Sequence, residues 1–204
     1  MLGRLKNKIE GAGAVKASGR GRNEPDDIRL IALVVTGDRV AFETLYRLYF
    51  PRLTRFLDRM THSAPLIEEI VNDTMMVVWR RGATFDGTCK LSTWIFSIAY
   101  RTALKAIQHR DEPLDADPDL RHGDEAFEPD VGLSRQQLSR RVAQALDAIP
   151  MEQRTVVNLT YYHGMAYEEI GAIMECPVNT VKTRMFHARR RLKILLADQS
   201  ESTS

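Results

Sequence analysis

Between residues 111 and 130 the chain carries nine carboxylates, three prolines, one glycine and a single arginine. Like-charge repulsion and the shortage of apolar side chains both oppose folding of such a stretch into a core. Whatever lies on either side must therefore fold without it. Both flanks show apolar residues at helical spacing, with no strand-like alternation and no repeat at a solenoid period. The sequence predicts an all-α protein: two small helical domains joined by an acidic flexible linker. The predicted boundaries are a disordered basic tail over 1–24, a first domain over 25–110, the linker over 111–130, a second domain over 131–197 and a disordered tail over 198–204.

At 204 residues and 44% hydrophobic content there is enough apolar material for one compact domain or two small ones with real cores. Residues 1–24 hold six basic groups, two acids and five glycines, too little to offset the entropy of ordering. No apolar run is long enough for a membrane span, and the first thirty residues lack a signal-peptide pattern, so no membrane insertion and a cytoplasmic location are expected. Cys89 and Cys176 stand alone, without zinc-ligand spacing, so no metal or cofactor is expected. His62, His109, His122, His163 and His187 are scattered, and neither a nucleophile elbow nor a phosphate-binding glycine loop is present. The sequence therefore names no catalytic residue and predicts a non-enzyme.

In the first domain, Asp27 to Thr36 reads as a short helix. Gly37-Asp38 stops it and caps the next, where Ala41, Phe42, Leu45, Tyr46, Leu48 and Tyr49 recur at helical spacing and Pro51 is expected to bend or restart the helix. From Leu66 to Arg81, Ile67, Ile70, Val71, Thr74, Met75 and Val78 share one face. Glu68, Glu69, Asn72, Asp73 and Met76 are left outside it, either as a solvated face or as a partner surface. Gly82 ends this helix. Phe85 to Lys90 reads as a tight loop, with Ser92 as N-cap of a helix to about His109. Phe96, Tyr100, Arg101, Lys105, Gln108 and His109 do not all fit its apolar stripe, and exposed aromatic and basic groups suit stacked bases and phosphates. Trp79 and Trp94 read first as core residues.

In the second domain, Leu133 to Ile149 is amphipathic and ends at Pro150, and a further helix runs from near Met151 to about Tyr162. Two short helices follow, Tyr167 to Met174 and Val178 onward, joined by Glu175-Cys176-Pro177, which is the layout of a helix-turn-helix. Pro177 suits the first position of the second helix. Ile170, Ile173, Met174, Val181 and Met185 supply a small core, and Gly171 lets the helices approach. Val178, Asn179, Thr180, Lys182, Thr183 and Arg184 lie where a recognition helix meets DNA. Val178 to Leu196 carries six Lys/Arg and no acid, unlike an ordinary solvated helix, which mixes both signs.

These motifs together resemble the extracytoplasmic-function group of bacterial sigma factors, the small members of the sigma-70 family, over roughly residues 26–197. The resemblance is strongest in three C-terminal blocks: Leu146 to Arg154; Tyr161 to Ile170; and Asn179 to Arg184 with Ala188, Arg189 and Leu192. Glu68 to Thr74 with Val78-Trp79, and Ser92 to Ala99, resemble the family's N-terminal motifs. The resemblance implies that Glu68, Glu69, Asn72, Asp73 and Met76 dock on core RNA polymerase. It implies that Asp86, Gly87, Thr88, Cys89 and Lys90, with Trp94, Tyr100, Arg101 and Lys105 of the following helix, take a flipped base and the melted strand of the minus-ten promoter element. Val178, Asn179, Thr180, Lys182, Thr183 and Arg184 would read the minus-thirty-five duplex, with Arg189 to Lys193 near its phosphates. The linker would thread polymerase channels, and an anti-sigma factor is an expected partner.

There are departures from the family pattern. Leu66-Ile67 stands where Asp-Ala is frequent, Val77 where Arg is, and Arg101 and Lys105 where Asn and Asp are common. Gly171 replaces a common Ala, and Cys176 a usually aliphatic turn residue. Two other functions compete. An operator-binding helix-turn-helix regulator does not account for the acidic helix at 68–73, and a protein-binding sigma-like adaptor does not account for the basic terminal helix.

Overall fold

The computed structural model describes residues 24–111 and 133–201. The tail expected over 1–24, all but its last residue, and the linker beyond Asp111 lie outside them. Eight α-helices are described: α1 (Glu24–Val35), α2 (Arg39–Thr61), α3 (Ala64–Arg81), α4 (Leu91–Asp111), α5 (Leu133–Asp147), α6 (Met151–Tyr161), α7 (Tyr167–Ile173) and α8 (Val178–Glu201). A 3-10 turn over Gly82–Thr84 follows α3. The described residues form two compact units, 24–55 with 65–111 and 56–64 with 133–201. The sequence reading keeps all of α2 in the first domain, whereas 56–64 group with the second unit.

In the first unit, Asp38 caps α2 as expected, its Oδ1 accepting the N–H groups of Val40 (2.9 Å) and Ala41 (3.0 Å). The helix then runs unbroken through Pro51, where a restart was an alternative. Pro51 and Arg47 are both exposed, so the helical hydrogen bond that Pro51 cannot donate is lost on the solvent side of the helix, where the loss costs least. α3 buries the stripe read from sequence, and Leu66 too. The core of this unit is closed by α4. Leu91, Thr93, every residue from Ile95 to Tyr100, and Ala103 are buried, so α4 has packing neighbours on nearly all sides of its first half.

In the second unit, α5 and α6 pack on α8, contributing Ala145, Leu146, Val156 and Leu159 to its core. α7 and α8 form the helix-turn-helix, burying Ile170, Ile173 and Met174 against Val181, Met185 and Ala188. The final helix continues to Glu201, so residues 198–201, expected in a disordered tail, are helical.

Candidate nucleic-acid interface

The turn before α8 is fixed by backbone geometry. Glu175 takes a positive φ of 52° and the Cys176 N–H returns to the Gly171 carbonyl at 3.0 Å, which reverses the chain within three residues. A Cβ on Gly171 would stand 2.9 Å from the Cys176 carbonyl oxygen, so only glycine allows this spacing without a shift. The first helical residue after the turn is Val178, not Pro177. Pro177 sits one place earlier, its carbonyl accepting the Thr180 N–H at 2.8 Å.

With Val181, Met185 and Ala188 turned inward, a period of 3.6 residues places Asn179, Thr183, Phe186 and Arg190 on the opposite face of α8. All four are exposed, as are Lys182 and His187. Val178, Thr180 and Arg184 are only half-exposed. Arg184 bends toward the turn, where its guanidinium donates to Cys176 Sγ at 3.6 Å. Arg189 is exposed and donates to the Tyr161 hydroxyl at 2.9 Å. That hydrogen bond, and then the electrostatic influence of Tyr161 and Tyr167, holds the guanidinium above its ordinary pKa. Phe186 was missed in the sequence. It is 63% exposed, and counting three and seven residues on from Thr183 and Asn179 would have found it.

In the first unit, the loop after α3 is a compact turn. Asp86 Oδ1 accepts both the N–H (2.9 Å) and the hydroxyl (2.7 Å) of Thr88, and Gly87 takes φ 73°, a conformation that favours glycine. Phe85 is buried with its ring 5.5 Å from that of Trp94. Asp86, Thr88 and Lys90 are exposed, while Gly87, Cys89 and Trp94 are half-exposed. Helix α4 begins at Leu91, and the Trp94 N–H bonds to the Lys90 carbonyl at 3.1 Å. Lys90 is thus the capping position, and Ser92 lies inside the first turn. Arg101, Lys105, Gln108 and His109 form an exposed row down α4. Tyr100 does not join it. With 5% of its surface accessible and Phe96 fully buried, neither presents a ring to a base; both face the core that the apolar stripe of α4, wider than its sequence spacing suggests, creates.

On α3, Glu68, Glu69, Asn72, Asp73 and Met76 are all exposed. Of the departures from the family pattern on α3, Leu66 and Ile67 are buried and Val77 is half-exposed. No cluster of three His, Cys, Asp or Glu among the described residues is placed to hold a metal ion. Nor is any described helix long and apolar enough to cross a membrane.

Residues 45–112 match the model of sigma-70 region 2, and residues 139–192 match that of sigma-70 region 4. The chain belongs to the sigma-70 family. Region 2 of this sigma factor contains the acidic face of α3, the loop at 86–90 and the basic row of α4; region 4 contains the helix-turn-helix. It is 28% identical to the RNA polymerase sigma-H factor of Pseudomonas aeruginosa, over 83% of this chain and 93% of the relative. It is 27% identical to the sigma-E factor of Escherichia coli strain K12, over 80% and 90% respectively. Among solved structures it resembles CnrH in complex with the cytosolic domain of CnrY, at 25% identity and TM-score 0.62 over 84% of this chain and 97% of that one. The sigma factor RpoE of Bartonella quintana, solved with the anti-sigma factor NepR, shares the fold at TM-score 0.60 and 24% identity, over 76% and 96%.

Proposed function

We propose that this sigma factor docks on core RNA polymerase through Glu68, Glu69, Asn72, Asp73 and Met76, and directs it to promoters that it helps to melt. In this reading residues 25–110 serve core docking and the minus-ten element, and residues 131–197 the minus-thirty-five element. Asp86 to Lys90, Trp94, Arg101 and Lys105 hold the flipped base and the melted strand, where pocket and stacking contacts offset the few kcal/mol spent on unstacking. Asn179, Lys182 and Thr183 meet base edges and phosphates of the duplex, joined by Phe186. Val178, Thr180, Arg184 and Arg189 support them from the flanks. The protein acts without catalysis of its own, in the cytoplasm, and is held in check by an anti-sigma factor, a reading supported by the structural neighbour solved with its anti-sigma factor.

The observation that carries the proposal is one chain holding both sigma regions, with an exposed acidic row on one and an exposed basic recognition helix on the other. The test is addition of the purified protein to bacterial core RNA polymerase, scored for complex formation and for transcription from a fragmented genomic library. A stable complex that starts RNA at defined sites is expected. A folded protein that binds DNA but forms no complex would favour the operator-binding regulator instead.

A further inference from the structure

The acidic row of α3 does not stand alone. Along α2, Phe42, Tyr46 and Phe50 recur every four residues and form a ladder beside it. The Tyr46 and Phe50 rings are stacked with centroids 5.7 Å apart, Phe42 lies 6.4 Å from Tyr46, and Phe42 meets Trp79 of α3 edge-on at 5.0 Å. Half-exposed and gripped on both sides by rings, Tyr46 has little rotamer freedom left. Its hydroxyl donates a 2.8 Å hydrogen bond to Oδ1 of Asn72.

Asn72 sits in the middle of the exposed row, one residue before Asp73 and three after Glu69. A free amide at an exposed helix position rotates and presents either its oxygen or its NH2 outward. The bond from Tyr46 ties one end of that amide to α2. A phenol both donates and accepts, so the contact fixes the place and plane of the amide rather than which of its ends is engaged. The surface then offers an amide held in place among carboxylates.

We infer that Tyr46 is a positioning residue for polymerase docking: it holds the Asn72 amide in place within the acidic row. The fitting partner surface is basic, with a polar group opposite Asn72. This inference rests on the docking reading given above. Its energetic basis is preorganisation, because an amide already oriented loses less freedom on binding.

The test measures affinity for core RNA polymerase with the full chain and the variants Tyr46→Phe, Asn72→Ala, the double variant and Glu69→Lys. Tyr46→Phe keeps the ring and its stacking, so the melting temperature should hold. Losing one orienting hydrogen bond should weaken core binding by about three- to tenfold and leave affinity for duplex DNA unchanged. On the Asn72→Ala background, the same substitution should have no further effect. If Tyr46→Phe leaves core affinity intact while Glu69→Lys reduces it, the inference fails and the docking surface stands. If neither changes core affinity, the docking reading fails and takes the inference with it. An equal loss from Tyr46→Phe with and without Asn72 would also overturn it, since Tyr46 would then act by itself.

Discussion

A methyl group at position 171 has nowhere to go. Its Cβ would lie 2.9 Å from a backbone oxygen in the turn, not from a side chain that can rotate away. Gly171→Ala, though it restores the family's common residue, should therefore destabilise region 4 by about 1–3 kcal/mol through enforced displacement of the turn. At roughly 4–8 °C per kcal/mol for a unit of this size, thermal unfolding followed by circular dichroism reads the loss directly. The sequence already marked Gly171 as a point of close approach, because a glycine facing a three-residue turn has little other use. What it did not reveal is the bond from Arg184 to Cys176, which links a recognition-helix side chain to the turn behind it. Spacing along the chain predicts which face a residue shares, but not that a long side chain folds back along its own helix.

Helix α8 separates two kinds of contribution that DNA binding distinguishes. Lys182 is a point charge on an exposed helix, so Lys182→Ala should weaken binding to specific and unrelated duplexes alike. It should also reduce the slope of log affinity against log salt by about one. Phe186 carries no charge. Phe186→Ala should leave that slope unchanged and lower affinity for the cognate promoter alone, a pattern visible in binding titrations of the polymerase complex over a range of salt. Equal losses on all sequences from Phe186→Ala would remove it from base reading. At this scale the sequence was legible: each helix was foreseen, with ends displaced by one to a few residues except at the C-termini of α2, for which no end was read beyond Pro51, and of α8. The failure lies at Tyr100. A stripe drawn on α4 alone assumes one buried side, whereas a helix packed on several sides buries residues all round its axis. Pro51 misled for the opposite reason, since a proline on the solvent side of a helix need not end it.

At the scale of the molecule, the proposed function has the two regions recognise DNA under different conditions. On that proposal, region 4 presents its recognition helix as folded, while strand capture by region 2 needs a melted duplex. On its own the protein should bind duplex DNA weakly and with steep salt dependence, because phosphate contacts from the basic helix dominate. On the same proposal, core polymerase holds both regions at fixed places, so the complex should demand two promoter elements at a fixed distance and angular phase. Inserting about five base pairs between the elements rotates one against the other by half a turn of B-DNA, given about 10.5 base pairs per turn. Initiation by the polymerase complex on such a template should collapse, whereas binding of the isolated protein to the same duplex should be insensitive to the insertion. Inserting about ten or eleven base pairs restores phase but not distance and should also fail, since a rigid mount tolerates neither error. Run-off transcription and filter binding on the three templates test this together. Equal initiation on all three would mean that one region alone carries recognition, and that the other contributes only to the grip on polymerase.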